Sequence, residues 1–138
     1  MSRINWGRVF LGGLLAGVII NGFEIFWSGV VLGKQWQAAM SAINHPLPSA
    51  AVWIFALEAL GMGMAAVWLY AALRPRFGPG PKTAVLSGFG YWVIGYALPA
   101  VGIGQTGLFP IRLLALTHLG GLVEIIAASV AGAWIYKE

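Results

Sequence analysis

The sequence has no cysteine and very few charged residues. It contains 8 basic and 4 acidic side chains in 138 residues, and all four acidic residues are glutamate. The missing cysteine excludes disulfides, thiolate metal sites and thiol catalysis. Soluble domains carry about 25% charged residues, whereas this chain has 9% and is 59% apolar. This composition excludes a soluble enzyme, a nucleic-acid-binding protein and a disordered tail, and it indicates an integral membrane protein.

Four apolar stretches are long enough to cross a bilayer, which requires about 20 residues per helix. They cover about 9–32, 49–73, 83–98 and 111–136, and the third is extended or kinked at Pro99. They predict an all-α fold, an integral membrane four-helix bundle that forms a single membrane domain over residues 1–138. The first stretch exceeds a typical signal-peptide core and carries Asn21 and Glu24, so we expect it to be retained as a helix.

Basic residues in the short loops predict the orientation of the helices. Two of them, Lys34 and Arg112, fall on one side of the predicted membrane, and six fall on the other: Arg3, Arg8, Arg74, Arg76, Lys82 and Lys137. Lys and Arg are enriched in cytoplasmic loops. We therefore expect both termini to be cytoplasmic, in a multi-pass protein of the inner membrane of a bacterium.

The two longer loops differ in character. The proline-rich segment from Arg74 to Lys82 is predicted to be stiff and non-helical. The segment from Lys34 to Pro48 carries Trp36, Met40 and Ile43 at helical spacing. This spacing predicts a short amphipathic helix that lies in the membrane interface.

The chain matches itself without gaps when it is shifted by 66 residues, so that repeat 1 (about 1–72) aligns with repeat 2 (about 73–138). Nine of 54 pairs between Gly17 and Tyr70 are identical, and the rarest matches place Glu58, Trp68 and Tyr70 on Glu124, Trp134 and Tyr136. Two helices per repeat give both halves the same orientation. The match predicts two tandem two-helix repeats in parallel orientation, related by a pseudo-two-fold axis along the membrane normal. The alternative explanation is shared membrane composition.

Three glutamates, Glu24, Glu58 and Glu124, fall inside the predicted spans. At a rise of 1.5 Å per residue, each lies about 20–24 Å from the basic residue at the cytoplasmic end of its helix. Carboxylates in lipid are costly and usually face a bundle interior or a wet cavity. We therefore predict one glutamate layer in which Glu58 and Glu124 point inward. Three ionised carboxylates in this layer would repel one another, so we expect at least one to be protonated at neutral pH.

Other polar side chains fall near the same depth. Asn21 and Ser28 share a helical stripe with Glu24, and Asn21 offers an amide donor to a carboxylate. The complete predicted layer for a proton, cation or ligand is Glu24, Glu58, Glu124, Asn21, Ser28, Ser87, Tyr91 and His118. Two interpretations stay open, a functional proton or cation site and a set of hydrogen bonds that only join helices. For His118 a packing role is the alternative.

No catalytic or metal-binding pattern is present in the sequence. A di-iron bundle uses Glu-x-x-His pairs, and neither Glu58 nor Glu124 has a histidine three residues later. A haem held by two histidines has only His118 at membrane depth. We predict no catalytic residue, no metal site and no cofactor, although a bound lipid fits such a bundle.

Two short motifs flank the first span, Ile4-Asn5-Trp6-x-x-Val9 before it and Gly33-Lys34-x-Trp36-x-x-x-Met40 after it. They resemble those of a family of small bacterial four-helix membrane proteins of unknown function. The resemblance covers about the first 40 residues, and beyond them only the helix count agrees. That family commonly has tyrosine before Gly-Lys-x-Trp, where this chain has Phe26-Trp27-Ser28. The resemblance implies a four-helix membrane fold and brings no activity with it.

The glutamate layer leads to a functional prediction, proton-coupled transport or binding of a small cationic or lipophilic molecule. One alternative is a non-catalytic structural or accessory subunit of a membrane complex. Another is a membrane enzyme that acts on a lipid or quinone. The expected partners are the lipid bilayer, further copies of the chain or other subunits of a membrane complex, and a small-molecule or ion ligand, but not nucleic acid.

Overall fold

The computed structural model describes residues 4–136, and every regular element in this range is a helix. The five helices are α1 (Trp6–Val31), α2 (Gly33–Ala42), α3 (Ala51–Phe77), α4 (Pro81–Gln105) and α5 (Ile111–Ile135). Helices α1, α3, α4 and α5 are long and apolar enough to cross a membrane, and they pack together. The prediction of an all-α, multi-pass membrane protein is therefore confirmed. The basic residues Arg3 and Lys137, used to predict the orientation, lie outside the described residues.

The sequence predicted the short helix α2, but it did not predict where α3 ends. Helix α3 runs through Pro75 to Phe77, where the sequence predicted a non-helical loop. Proline removes one backbone hydrogen bond, and Pro75 stands so near the end of α3 that little of the helix depends on it. Gly78 ends the helix with a φ of 82°, and its N–H donates to the Arg74 carbonyl over 2.8 Å.

Helices α1 and α4 each contain a π-helical segment. Both segments lie in the half of the helix that is farther from the end of the bundle where residues 4 and 136 lie. These segments are Ile25–Val31 in α1 and Val93–Ala97 in α4. A π-helical turn holds one more residue than an α-helical turn, so the side chains that follow it are rotated about the helix axis. In α4 the wider turn precedes Pro99, which cannot donate a hydrogen bond to the carbonyl four residues back. Helix α4 then continues to Gln105, beyond the predicted boundary at 98.

The four spanning helices form a ring in the order α1, α3, α4, α5, and α3 and α5 also meet across the middle. Glycines bring α1 and α3 into backbone contact. A Cβ atom at Gly63 would lie 2.3 Å from the Gly17 nitrogen and 2.4 Å from the Gly13 oxygen. Lipid tails are as apolar as leucine, so close approach of small residues drives helix packing in membranes. The glycine stripe of α1 therefore fixes which face of α3 is turned inward.

Helix α5 is the most buried of the four spans. Its face of Gly120, Glu124, Ala128 and Gly132 is buried, with spacings of four residues that follow one side of a helix. Small residues on this face again allow close approach, since a Cβ at Gly132 would lie 2.8 Å from the Gly12 oxygen. Glu124 thus occupies the core because the small residues of its own stripe pack there.

Two tyrosine hydroxyls join the helices at the end of the bundle where residues 4 and 136 lie, here called the terminal end. The Tyr70 hydroxyl accepts a hydrogen bond from the Gly80 N–H over 3.1 Å, and the Tyr136 hydroxyl accepts one from the Asn5 N–H over 3.0 Å. Their rings meet edge to face with centroids 5.9 Å apart. Each hydroxyl thereby satisfies a backbone donor where a helix begins, which would otherwise lack an intrahelical partner. The opposite end, which carries α2, is called the α2 end.

Candidate functional site

The strongest candidate site is the carboxyl group of Glu124, whose side chain is 0% exposed. The Tyr96 hydroxyl donates to Glu124 Oε1 over 2.8 Å. The other oxygen, Oε2, is buried and has no hydrogen-bond partner among the described residues. Only one of the two oxygens of this carboxyl group is therefore hydrogen-bonded. A buried polar atom without a hydrogen-bond partner is uncommon and calls for an explanation.

A second carboxyl group, that of Glu24 on α1, lies beside this pair. Glu24 is half-buried and interacts electrostatically with both Glu124 and Tyr96. Glu24 and Glu124 also lie at a similar depth in the bundle. Trp27, three residues after Glu24, packs against Gly120, four residues before Glu124. The helices α1 and α5 are antiparallel, so both carboxyl groups lie about one turn from this contact. Glu24, Tyr96 and Glu124 are therefore brought together, and we call them the Glu124 cluster.

Tyr96 is the functional candidate that the sequence prediction missed. It lies in the π-helical segment of α4, five residues after Tyr91. Five residues in an α-helix turn by 500°, which places the two side chains about 140° apart, whereas the wider π-helical turn between them reduces this angle. The Tyr96 ring packs against Gly121, where a Cβ would lie 2.4 Å from the ring. Pro99 and Gly121 were the available signals in the sequence.

His118 packs against the Tyr96 ring. The two rings meet edge to face with centroids 6.3 Å apart, and His118 Nδ1 lies 2.6 Å from the Leu114 carbonyl oxygen on its own helix. Because a carbonyl only accepts, Nδ1 is the protonated donor in this hydrogen bond. His118 thus packs against the hydroxyphenyl side chain of the Glu124 cluster.

Two of the predicted layer residues bind backbone carbonyls instead of carboxylates. The Asn21 amide donates to Gly17 O over 3.1 Å and to Ala56 O of α3 over 3.2 Å. The Ser87 hydroxyl is buried and donates to Ala66 O of α3 over 2.8 Å. Both side chains therefore join neighbouring helices, and the expectation that Asn21 donates to a carboxylate is wrong.

Ser28 and Tyr91 have different surroundings. The Ser28 hydroxyl is buried without a hydrogen-bond partner among residues 4–136. Tyr91 is half-buried on α4 and interacts electrostatically with Glu58 and with Tyr96. Tyr91 thus interacts both with Glu58 and with the phenol of the Glu124 cluster.

Glu58 departs from the prediction that it points to the interior, because its side chain is exposed on the surface of the single chain. Helix α3 packs through the buried residues Ala59, Gly63 and Ala66. Glu58 precedes Gly63 by five residues, which turns it about 140° away from that glycine. The prediction of an inward-facing Glu58 is wrong, since the glycine contact with α1 sets the rotation of α3.

Within residues 4–136, no three side chains of His, Cys, Asp or Glu are grouped closely enough to hold a metal ion. The chemistry of the Glu124 cluster rests on two carboxyl groups and one phenol. Such a set can accept or release a proton, and its oxygens can bind a cation.

Comparisons with protein-family models, with curated proteins and with solved structures find no match to this chain. The resemblance of the first 40 residues to a family of small bacterial membrane proteins stays a prediction. The class that the fold defines is a small multi-pass membrane protein with a buried, hydrogen-bonded glutamate.

Proposed function

We propose that the Glu124 cluster binds a proton or a small cation, and that this binding is coupled to the binding or transport of a small cationic or lipophilic molecule. The observation that supports the proposal most strongly is the fully buried Glu124 carboxyl group, with one oxygen bonded to Tyr96 and the other unpartnered. Ionisable residues within membrane spans commonly mark ion or substrate pathways.

The chemistry of a buried carboxyl group favours a proton or cation over a purely structural role. A carboxylate removed from water needs a compensating charge or a proton, and no basic side chain pairs with Glu124 among the described residues. A second carboxyl group, Glu24, lies beside it and adds negative potential. A proton or a cation between the two carboxyl groups would relieve their mutual repulsion.

Binding of tetraphenylphosphonium, a lipophilic cation, to the purified full chain in detergent tests this proposal. A proton and the cation compete for the same carboxyl group, so we expect binding to weaken as the pH falls. Glu124→Gln keeps the shape and removes the charge, so it should abolish binding while the thermal melt still shows a folded protein. Ser129→Ala is the matched control, because it removes a buried, unpartnered hydroxyl from the same helix without touching a carboxyl group.

The alternative that the carboxyl groups only join helices predicts a different result. Under that reading Glu124→Gln preserves both the fold and any cation binding, since glutamine still accepts from Tyr96. Equal, pH-independent binding in the wild type and in Glu124→Gln would contradict the proposed function.

We also propose that the two halves of the chain are tandem repeats related by a pseudo-two-fold axis. The hydroxyls of Tyr70 and Tyr136, which align at the offset of 66 residues, each accept a hydrogen bond where the first helix of the other half begins. The π-helical segment Ile25–Val31 aligns with residues 91–97, which contain the segment Val93–Ala97. These two correspondences support a duplication.

The repeats differ where the site lies, and this difference supports the choice of Glu124. At the same offset Tyr96 aligns with Val30, and Gly121 aligns with Phe55. The first repeat therefore lacks both the phenol that binds a glutamate and the glycine that makes room for it. Glu58, which aligns with Glu124, is exposed instead of buried.

The proposed orientation places both termini in the cytoplasm. Arg8, Arg74, Arg76 and Lys82 lie toward the terminal end, whereas Lys34 and Arg112 lie at the α2 end, and this distribution supports the proposal. Because the chain has no cysteine, single cysteines at the exposed residues Gln37 and Pro79 test it cleanly. In intact bacterial cells an impermeant maleimide should label Gln37→Cys and not Pro79→Cys; the reverse labelling would contradict this orientation.

We propose that a second copy of the chain or another membrane subunit covers Glu58. An exposed carboxyl group on a spanning helix is costly in lipid, and this cost supports a protein neighbour on that face of α3. Crosslinking from the exposed neighbour Ile54→Cys in the membrane tests the proposal, and the absence of any protein crosslink there would contradict it.

A further inference from the structure

A cavity of about 720 Å³ opens at the α2 end, between α2 and the start of α5. Ligand pockets in proteins commonly enclose about 300–1,000 Å³. The residues that define it for this argument are Ala38, Ala39, Ala42, Phe109, Arg112 and Leu113. The cavity is separate from the Glu124 cluster, none of whose residues lines it.

Side-chain hydrogen bonds hold the walls of this cavity in place. The Trp36 indole N–H on α2 donates to the Thr117 hydroxyl on α5 over 3.2 Å, and the Trp36 ring meets Phe109 edge to face at 5.5 Å. The Trp27 indole N–H donates to Leu116 O over 3.0 Å. The Trp36 contacts fix α2 on α5 and the Trp27 bond fixes α1 on α5, so the walls of the cavity are held in place by the protein itself.

The shape of the cavity follows from short side chains on one face of α2. Ala42 follows Ala39 by three residues and Ala38 by four, so it neighbours both of them on the helix surface. The three alanines face the apolar side chains of Phe109 and Leu113. Alanine leaves a slot where a larger residue would fill the space, and an apolar slot of this kind suits a hydrocarbon chain.

A positive charge stands at the same cavity. Arg112 is exposed in the first turn of α5, and no acidic side chain pairs with it among residues 4–136. The start of α5 and the segment that follows α1 mark the boundary between the apolar core of the bilayer and its headgroups. The guanidinium group therefore stands at headgroup depth, where phosphates lie, and it matches a phosphate in charge and in hydrogen-bond geometry.

We propose that this cavity binds an anionic phospholipid, with one acyl chain in the alanine-lined slot and the phosphate at Arg112. The charge of Arg112, the apolar lining and the position at the membrane interface each match this lipid. The lipid site is independent of the Glu124 cluster, so either proposal can fail without the other.

Native mass spectrometry of the full chain in detergent tests this site. Phosphatidylglycerol and phosphatidylcholine with identical acyl chains are the two probes. We expect one phosphatidylglycerol to bind more tightly than phosphatidylcholine. Arg112→Gln removes a charge-assisted hydrogen bond and should weaken phosphatidylglycerol binding by about tenfold. Ala38→Leu and Ala42→Leu fill the slot and should abolish binding of both lipids.

Matched variants at exposed positions outside the cavity serve as controls. Lys34→Gln removes a charge at the same end of the bundle, and Ser41→Leu adds the same side chain to another face of α2. Both should bind phosphatidylglycerol as the wild type does. Because Ala38 and Ala42 are exposed, their leucine variants should keep the wild-type thermal melt. Each of the two variants then tests independently whether the slot holds the acyl chain.

Two results would overturn the proposal. Unchanged phosphatidylglycerol binding in folded Ala38→Leu and Ala42→Leu, or in Arg112→Gln, would show that the lipid only surrounds the protein nonspecifically. Displacement of the lipid by an equal concentration of inorganic phosphate would show an anion site that makes no use of the acyl chain.

Discussion

Replacement of Gly63 by alanine is predicted to force α1 and α3 apart. The new Cβ would lie 2.3 Å from the Gly17 nitrogen and 2.4 Å from the Gly13 oxygen, and both are backbone atoms that cannot rotate away. To restore ordinary van der Waals distances the helices must separate by about 1 Å, and a gap of this size forfeits roughly a quarter to a half of the dispersion attraction of each contact.

The expected magnitude follows from two opposing effects. Overpacking of a tight contact costs about 1–3 kcal/mol, whereas alanine favours a helix over glycine by about 1 kcal/mol. Subtracting the helix preference from the overpacking cost leaves a net destabilisation of up to about 2 kcal/mol for Gly63→Ala. Gly61 lies on the same helix with nothing within 4 Å of its Cβ position, so Gly61→Ala should be neutral or stabilising by up to about 1 kcal/mol.

Equilibrium unfolding in mixed detergent–dodecyl sulfate micelles, followed by circular dichroism, measures both variants. Although the two glycines are only two residues apart, Gly63→Ala should be less stable than Gly61→Ala. If Gly63→Ala proves as stable as Gly61→Ala, the close backbone contact between α1 and α3 does not exist as described.

Three further predictions use the same unfolding assay. Tyr70→Phe and Tyr136→Phe each remove one hydrogen bond to a helix start and should each cost about 1 kcal/mol; a loss in only one of them would weaken the case for the repeat. Tyr96→Phe leaves the Glu124 carboxyl group without its hydrogen bond and should cost about 1–3 kcal/mol, whereas Tyr91→Phe should change the stability by less than about 0.5 kcal/mol; equal effects would contradict the role of Tyr96. Trp36→Phe and Thr117→Val should each lower the free energy of unfolding by about 1 kcal/mol. The double variant should lose little more than either single variant, because both substitutions remove the same hydrogen bond. Additive losses would contradict a hydrogen bond between Trp36 and Thr117.

The sequence predicted the class, the four spans and α2, because length and hydrophobic spacing determine them directly. It also identified Glu124, since this glutamate shares a four-residue stripe with Gly120, Ala128 and Gly132, and small residues mark the packed face of a membrane helix. The same reasoning places Glu58 outside, because it is turned about 140° from Gly63. The prediction of an inward-facing Glu58 failed because neither its depth nor the cost of a carboxylate in lipid determines which side of α3 faces the bundle.

Tyr96 was beyond the reach of helical periodicity. The π-helical segment Val93–Ala97 changes the residues per turn within α4, so a stripe drawn with α-helical spacing from Ser87 and Tyr91 misses it. Likewise, the bonds of Asn21 and Ser87 to carbonyls of α3 depend on how closely the helices approach. Sequence spacing gives the depth of such side chains but not their partners.

Infrared spectroscopy of the protein reconstituted in lipid vesicles can detect proton exchange at the Glu124 carboxyl group. A protonated carboxylic acid has a C=O stretch distinct from that of a carboxylate or an amide. We expect part of this band to change amplitude with pH and to be absent in Glu124→Gln. Its frequency should shift in Tyr96→Phe, and Ser129→Ala should leave it unchanged. A band that is the same in the wild type and in Glu124→Gln, or that does not respond to pH, would show that Glu124 does not exchange a proton.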